Sequence, residues 1–535
     1  MIFTDILRTP DSALLETGAG FEPMTASGDR FTAPGITLDC ADRRFTVTRS
    51  RTAPDRAPKR FKLRWRGDNR ACRLLYRDTW QRACMDIGWT TVQPETPLPW
   101  YFLAFDGVQT RGCGVKTGGD AFAFWQVDPH GVTLWLDVRC GGVGVELTRP
   151  LVAAEIVTCL SADGETPYRT AQRFAGMLCS SPRLPARPVF GANNWYYAYG
   201  DISRETVRED AALMGSLVDG DLRPYMLIDD GWQQNRRKGY IGGPWLPNDR
   251  FGDMPETASD IRARGCLPAI WMRPTLSEDP GLPEAWKLHR PHGLQPETGF
   301  VLDPSVPDVL NRIREDVSRV RSWGFDLIKH DFSSYDLSGM TDIDAKFQLT
   351  PENWAFSDRT RTTAQIVKSL YQTIQDAAGG AYVMGCNTYN HLTAGIHEIM
   401  RSGGDTSGRV WEITRSHGIG TLALRLHQNG RFFMTDADCA AFTPKVSTEM
   451  NLRFADLIAR SGTALFASIT PGLLSGDELA RLRHIYERAG QPADLEPLDW
   501  MTTTCPGEYL DCGIHISYDW FTDCGGVRTF YTWFG

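Results

Sequence analysis

Short runs in which apolar and polar residues alternate fill the first part of the chain, at 35–39, 44–48, 61–65, 131–138 and 144–147. Successive side chains of a strand point to opposite faces, so this period of two predicts strands with one buried face, and Gly- and Pro-bearing turns between them predict antiparallel pairing. A helical pattern at 169–178 follows, and then Ser180-Ser-Pro-Arg-Leu-Pro-Ala-Arg-Pro188, a Pro-rich linker. Residues 1–185 therefore read as an antiparallel β-supersandwich.

Beyond the linker the pattern changes. Apolar runs at 189–195, 224–230, 266–271, 326–331, 381–386, 399–401, 431–435 and 463–467 alternate with amphipathic stretches at 204–218, 364–377 and 448–458. In a further stretch Val306, Val309, Leu310, Ile313, Val317, Val320 and Trp323 share one helical face. Eight buried strands interleaved with helices predict a (β/α)8 barrel over 186–475. The interval 387–398 is too short for an ordinary crossover helix and is expected to be a loop with a short helix. From 476 to 535 a helix (477–489) leads into a small β-rich domain bearing Trp500, Tyr518, Trp520, Tyr531 and Trp533.

A chain of 535 residues, too long for one compact core, agrees with this division. A net charge of -8 argues against a nucleic-acid or anionic-membrane surface. No apolar stretch is long enough to span a bilayer, and Met1-Ile-Phe-Thr-Asp-Ile-Leu-Arg8 lacks the form of an export signal. A soluble cytoplasmic protein is the expectation. The 13 cysteines stand singly with no CxxC pair, which predicts free, mostly buried thiols and no zinc ribbon.

Barrel chemistry sits at the C-terminal ends of the strands. Those ends carry Trp195; Asp229, Asp230 and Trp232; Trp271 and Arg273; Lys329 and Asp331; Cys386 and Asn387; Arg401 and Asp405; Asp436 and Asp438. A single Asp after a strand is ordinarily a cap or turn former, but acids at four of eight strand ends converge on one pocket once the barrel closes. Carboxylates, one Lys, one Arg and Trp walls suit a neutral polyhydroxylated substrate, with no metal and no cofactor expected. In Leu327-Ile-Lys-His-Asp331 the period of two puts Lys329 and Asp331 on one face and His330 on the other. An ammonium beside Asp331 favours the ionised carboxylate a nucleophile needs. Asp405, in the Gly-rich Arg401-Ser-Gly-Gly-Asp405, is the candidate general acid, on a loop whose flexibility lets it approach a leaving-group oxygen. Asp438 fits a pocket or a turn, and Asp78, Trp80 and Trp89 read as sandwich positions rather than as a loop reaching the barrel mouth.

These segments resemble the clan D glycoside hydrolases, the α-galactosidase and α-N-acetylgalactosaminidase families 27 and 36. Asn194-Trp-Tyr196, Ile228-Asp-Asp-Gly-Trp-Gln233, Ile270-Trp271, Lys329-His-Asp331 and Arg401-Ser-Gly-Gly-Asp405 carry the likeness. A supersandwich before the barrel is similar to family 36. The resemblance implies a retaining exo-glycosidase acting on a terminal α-linked galactose-type sugar of an oligosaccharide or glycoconjugate. It implies Asp331 as nucleophile, Asp405 as acid/base, and substrate contacts from Trp195, Asp229, Asp230, Trp232, Trp271, Lys329, Cys386, Asn387 and Arg401. Two departures stand out: Met272-Arg-Pro-Thr275 replaces the acidic stretch common after the third-strand Trp, and the C-terminal domain is reduced. Relatives also include raffinose-synthase-like transferases and are often homo-oligomers, and a non-catalytic sugar-binding protein on the same scaffold is the remaining alternative.

Overall fold

The computed structural model describes residues 3–50, 56–83, 87–218, 222–234, 241–289, 299–339 and 350–521. Its N-terminal part is two antiparallel sheets. Six strands run in the order Leu98–Pro99, Phe122–Asp128, Gly131–Asp137, Arg60–Arg66, Ser12–Thr17, Gly20–Pro23. A second sheet of nine strands includes Ile36–Asp39, Arg44–Arg49, Leu151–Leu160, Thr110–Val115 and Tyr101–Phe105. The inward positions, such as Phe61, Leu63 and Trp65 on one sheet and Phe45 and Val47 on the other, are fully buried. The alternation at 144–147 forms no strand; Val145 instead donates its N–H to the Pro58 carbonyl as an isolated contact.

Eight parallel strands then close into the expected barrel: β1 (Phe190–Asn193), β2 (Tyr225–Ile228), β3 (Leu267–Met272), β4 (Leu327–His330), β5 (Tyr382–Gly385), β6 (Ile399–Arg401), β7 (Met434–Phe442) and β8 (Ala464–Ile469). The seventh strand starts later than the expected 431–435: Arg431–Phe433 precede it, and Met434 opens it by donating its N–H to the Glu398 carbonyl. Crossover helices include Arg204–Leu217, Met254–Ala263, Pro307–Ser322, Thr363–Ala378 and Thr448–Ser461. The second of these carries too few large apolar residues for its periodicity to show in sequence, and its Asp253 N-cap and Pro255 are the local signals for it. Between β5 and β6 there is only a one-turn helix, Asn390–Thr393.

Along each strand the period of two sorts side chains between two cores. Leu227, Leu267, Ala269, Leu327, Met384 and Ile399 fill the barrel interior, while Met226, Ile228, Ile270, Ile328 and Val383 face the helices. His330 follows the second set: it is wholly buried against Tyr371 and His397, and burial lowers its pKa to about 4. The inward set continues past the apolar plug into Asp229, Trp271, Lys329, Asp331 and Arg401, so the site is the polar upper layer of the barrel.

The helix Gly476–Ala489 and a three-stranded antiparallel sheet, Leu495–Pro497, Glu508–Asp511 and Ile514–Ser517, complete the described fold. Trp500 packs against Tyr76 and Trp89 of the sandwich, Tyr168 and His427, so this small module seals the seam between the two larger ones. Tyr531 and Trp533 lie outside the described residues. Eleven cysteines are described and all are free thiols, most of them buried; Cys84 and Cys524 lie outside the described residues. No helix among the described residues is long and apolar enough to cross a membrane.

Candidate active site

Asp331 follows the last residue of β4, its N–H donating to the Met272 carbonyl. Three donors converge on its carboxylate: Trp271 Nε1 on Oδ2 at 2.9 Å, and Asn387 Nδ2 at 2.5 Å and its neighbour's amide, Phe332 N, at 2.7 Å on Oδ1. Phe332 takes a left-handed backbone, φ 64°, which turns the chain into a short helix at the barrel mouth. Burial acts to raise the Asp331 pKa, but the charges of Lys329 and Arg82 and the bonds from Trp271 and Asn387 outweigh it and hold the group below the ordinary carboxylate value. The carboxylate is thus anionic and aimed.

Lys329 is on the expected face but does not pair directly with Asp331. Its ammonium meets Asp229 Oδ2 at 2.8 Å, and Asn193 Nδ2 donates to the same oxygen at 2.9 Å. Lys329 and Asp229 are both buried. Burial works against the ammonium, the Asp229 carboxylate more than offsets it, and the Lys329 pKa is raised. Lys329 therefore acts on Asp331 by charge at a distance while locking β1, β2 and β4 together. Asp230 points elsewhere, accepting from Gln233 Nε2 at 2.6 Å, and burial pushes its pKa up to about 7.

The aromatic residues divide. Trp195 is partly exposed and lies 5.1 Å from the ring of Tyr199, itself a left-handed residue at the mouth. Trp271 is buried, with its indole N–H donated to Asp331. Trp232 corrects the expectation of a pocket wall: it is wholly buried, donates Nε1 to the Trp271 carbonyl at 2.9 Å, and packs on Trp245 and Trp323. It supports Trp271 from behind, because at this turn the side chain falls on the helix-facing side. Arg273 is also withdrawn, paired to Asp336 at 2.6 Å beneath the Phe332 ring.

On the opposite side Arg401, at the end of β6, reaches Asp438 Oδ2 at 2.5 Å, Asp405 Oδ1 at 3.1 Å, the Gly404 carbonyl at 3.0 Å and the Cys386 sulfur at 3.4 Å. Asp438 joins the Arg401 cluster, taking further hydrogen bonds from Tyr196 Oη and from Thr406 N and Oγ1. It gets there through a bulge: the pairing of β7 with β8 slips between Asp436 and Cys439, and Asp438 has φ 67°. The bulge moves the inward parity of β7 from Met434 and Asp436 to Cys439 and Ala441. Asp436 is buried beneath, its pKa pushed up by burial to about 6.

Asp405 carries two guanidiniums on one oxygen, Arg401 and, at 2.7 Å, Arg82 Nη1 from the sandwich. Burial acts to raise its pKa, and Arg82, Arg401 and Lys329 reverse that, leaving the carboxylate well below its ordinary value. Its side chain is nevertheless 39% exposed, so one face stays open to an incoming molecule. The flexibility expected of Ser402-Gly-Gly404 is not what the structure uses. A Cβ on Gly403 would overlap the His417 carbonyl oxygen, and one on Gly404 would stand 2.6 Å from His417 Nδ1. The glycines permit close packing against the π-helical turn Thr414–Gly420, whose His417 Nδ1 lies 3.1 Å from the Asp405 carbonyl.

Asn193, Tyr196, Arg82 and His417 were not predicted. Asn193 immediately precedes the Asn194-Trp-Tyr196 segment and Tyr196 ends that segment, so both are within reach of the strand reading, whereas nothing local marks Arg82 or His417.

No protein-family model and no curated protein sequence matches the chain. Solved structures do. An α-galactosidase from Thermus thermophilus in complex with p-nitrophenyl α-D-galactopyranoside superposes with a TM-score of 0.60 at 16% identity, over 95% of this chain and 99% of that one. A family 36 α-galactosidase from Geobacillus stearothermophilus bound to 1-deoxygalactonojirimycin gives 0.59 at 14% identity, over 91% and 72%. The α-galactosidase from Lactobacillus brevis gives 0.59 at 13%, over 91% and 74%. The chain has the fold of the family 36 α-galactosidases. Sandwich, barrel and small C-terminal sheet follow that architecture.

Proposed function

We propose that this protein is a retaining exo-glycosidase that removes a terminal α-linked galactose-type sugar through a covalent glycosyl-aspartate. The observation that carries the reading is the Asp331 niche: an anionic carboxylate, fixed by three N–H donors and deprived of water, at the C-terminal mouth of a barrel whose fold is that of α-galactosidases. In the first step Asp331 attacks the anomeric carbon while Asp405 gives its proton to the departing glycosidic oxygen. In the second, Asp405 takes a proton from water as the water attacks the same carbon and Asp331 leaves. Asp229, Lys329, Asn387 and Arg401 supply hydrogen-bonding groups for ring hydroxyls, and Asp230, turned to Gln233, is assigned to the same set by the family resemblance. Trp195 and Trp271 offer apolar faces, and Cys386 sits beside Arg401.

The bound ligands of the related structures, p-nitrophenyl α-D-galactopyranoside and stachyose in the Thermus enzyme and raffinose in a Geobacillus variant, point to α-galactosides of this kind as the substrate class. The test is hydrolysis of p-nitrophenyl α-galactoside beside p-nitrophenyl α-N-acetylgalactosaminide by the wild type and by Asp331→Ala with and without azide. Turnover of the galactoside, its loss in Asp331→Ala by roughly 10⁴-fold or more, and partial rescue with a β-glycosyl azide product are expected. Preference for the acetamido sugar would move the assignment to an α-N-acetylgalactosaminidase, and an α-glycosyl azide would rule out Asp331 as the nucleophile.

A further inference from the structure

Arg82 belongs to the sandwich half of the chain yet ends on a barrel carboxylate, and the contacts that bring it there are extensive. Ala83 N–H donates to the Ser402 carbonyl at 2.9 Å and Gly404 N–H to the Ala83 carbonyl at 2.8 Å, so the 78–83 segment runs as a bridge alongside the loop that carries Asp405. Behind it, Asp78 forms a wholly buried ion pair with Arg425 at 2.5 Å. The same Arg425 donates to the Ser402 carbonyl at 2.6 Å and to the Gln81 carbonyl at 2.7 Å, tying both segments to one side chain. Asp78 also accepts from Gln428 Nε2 and from Thr79 N. Gln81 accepts from Ser334 Oγ, in the turn that follows Asp331. The Arg82 guanidinium lies 5.8 Å from the centre of the Tyr335 ring and is 5% exposed, whereas its partner Asp405 is 39% exposed.

We infer that Arg82 is a positioning residue for Asp405: delivered by the sandwich, its guanidinium fixes the carboxylate at the barrel mouth until a leaving-group oxygen takes its place. The inference rests on the acid/base role given to Asp405 above. A guanidinium on the carboxylate favours the anion, the form that accepts a proton from water in the second step, and opposes the protonated form that the first step consumes. Donation to the glycosidic oxygen therefore requires the Arg82 contact to loosen as the aglycone arrives, and Arg82 sets the pH at which the first step fails. The sandwich is on this account part of the active site, not an appended module.

The experiment compares wild type, Arg82→Met and Arg82→Lys by the pH dependence of kcat/KM on an alkyl α-galactoside, together with the titration of Asp405 in ¹³C-carboxyl aspartate-labelled protein. The resonance is identified by its loss in Asp405→Asn. Loss of the adjacent cation is expected to move the basic limb and the Asp405 midpoint upward by about one unit or more in Arg82→Met, and Arg82→Lys is expected to restore most of that shift. An unmoved limb and midpoint in folded Arg82→Met would overturn the inference, even if its melting temperature fell. Should Arg82→Met not fold, Arg82→Gln replaces it with the same two outcomes. Failure of the wild type to cleave any aryl or alkyl glycoside would defeat the glycosidase reading, and the Asp405 titration would still decide the role of Arg82.

Discussion

The two carboxylates at the barrel mouth are held in opposite ways. Asp331 ends a strand, and its direct partners are neutral N–H donors from the next residue and from the ends of β3 and β5, with the cations one step further away. Asp405 sits on a loop between two guanidiniums, one from the end of its own strand and one from a different domain. In the first niche every direct partner of the carboxylate comes from the barrel. The second exists only where sandwich and barrel meet. On the proposed roles, the group that stays anionic is held by donors fixed at strand ends, whereas the group that gains and loses a proton is held by ion pairs across an interface.

The largest break in that comparison is expected from Asp405→Ala. General acid catalysis contributes roughly 10²–10⁴-fold, so kcat/KM for an alkyl α-galactoside, whose leaving group must be protonated, should fall within that range. With a 2,4-dinitrophenyl leaving group, which departs without a proton, the loss should nearly vanish, while Asp331→Ala remains inactive on both substrates. Equal losses on both substrates for Asp405→Ala would show that the two carboxylates do not differ in role as their surroundings do.

This asymmetry also governs what could be read from sequence. The barrel was legible because each strand is a short apolar run and each inward residue follows by a period of two. That rule puts Lys329 and Asp331 on one face and sends His330 to the helices, and position at a strand's C-terminal end gathers Asp229, Trp271 and Arg401 with them. It failed where parity is broken. The bulge at Asp438 is a backbone event without a sequence signature, and Trp232 lies past a turn at which alternation no longer applies. The Lys329 side chain reaches across to β2 rather than along its own strand, so its partner is Asp229. Most opaque was the seam. Trp80 is a sandwich core residue as expected, against Trp100, Phe122 and Phe124, but Asp78 and Arg82 on either side of it turn to the barrel. Pairing Asp78 with Arg425 and Arg82 with Asp405 joins residues more than 300 positions apart, and no local pattern encodes that.

The seam can be tested without touching either carboxylate. Asp78→Ala removes the acidic partner of a fully buried Arg425 and leaves that cation uncompensated, for which the expected cost is about 3–5 kcal/mol. The measurement is chemical denaturation followed by tryptophan fluorescence, to which Trp80, packed on Trp100, and the Trp89–Trp500 pair contribute. A loss below about 1 kcal/mol, the range of an exposed ion pair, would show that the junction is looser than its geometry, and the contrast between a barrel-built and an interface-built niche would weaken.

The smallest expected effect sharpens the other side of the comparison. Trp271→Phe keeps a ring on the face supported by Trp232 and Trp245 but deletes the N–H that donates to Asp331 Oδ2. A hydrogen bond to a charged group contributes about 1.5–3 kcal/mol, so kcat/KM should fall by roughly ten- to a hundredfold. Since that bond is one of the influences holding the Asp331 pKa down, its loss should move the acid limb of the pH profile upward. Linkage fixes the sign for stability as well. A carboxylate whose folded pKa is depressed stabilises the fold above its unfolded value, about pH 4, and loses that contribution as pH falls through the lower folded value. The stability gap between wild type and Trp271→Phe should thus be widest above about pH 4 and narrow at lower pH, where Asp331 is protonated in both. A gap independent of pH, with the acid limb unmoved, would mean that Trp271 serves only as packing and that the anion is maintained by Lys329, Arg82 and Asn387 without it.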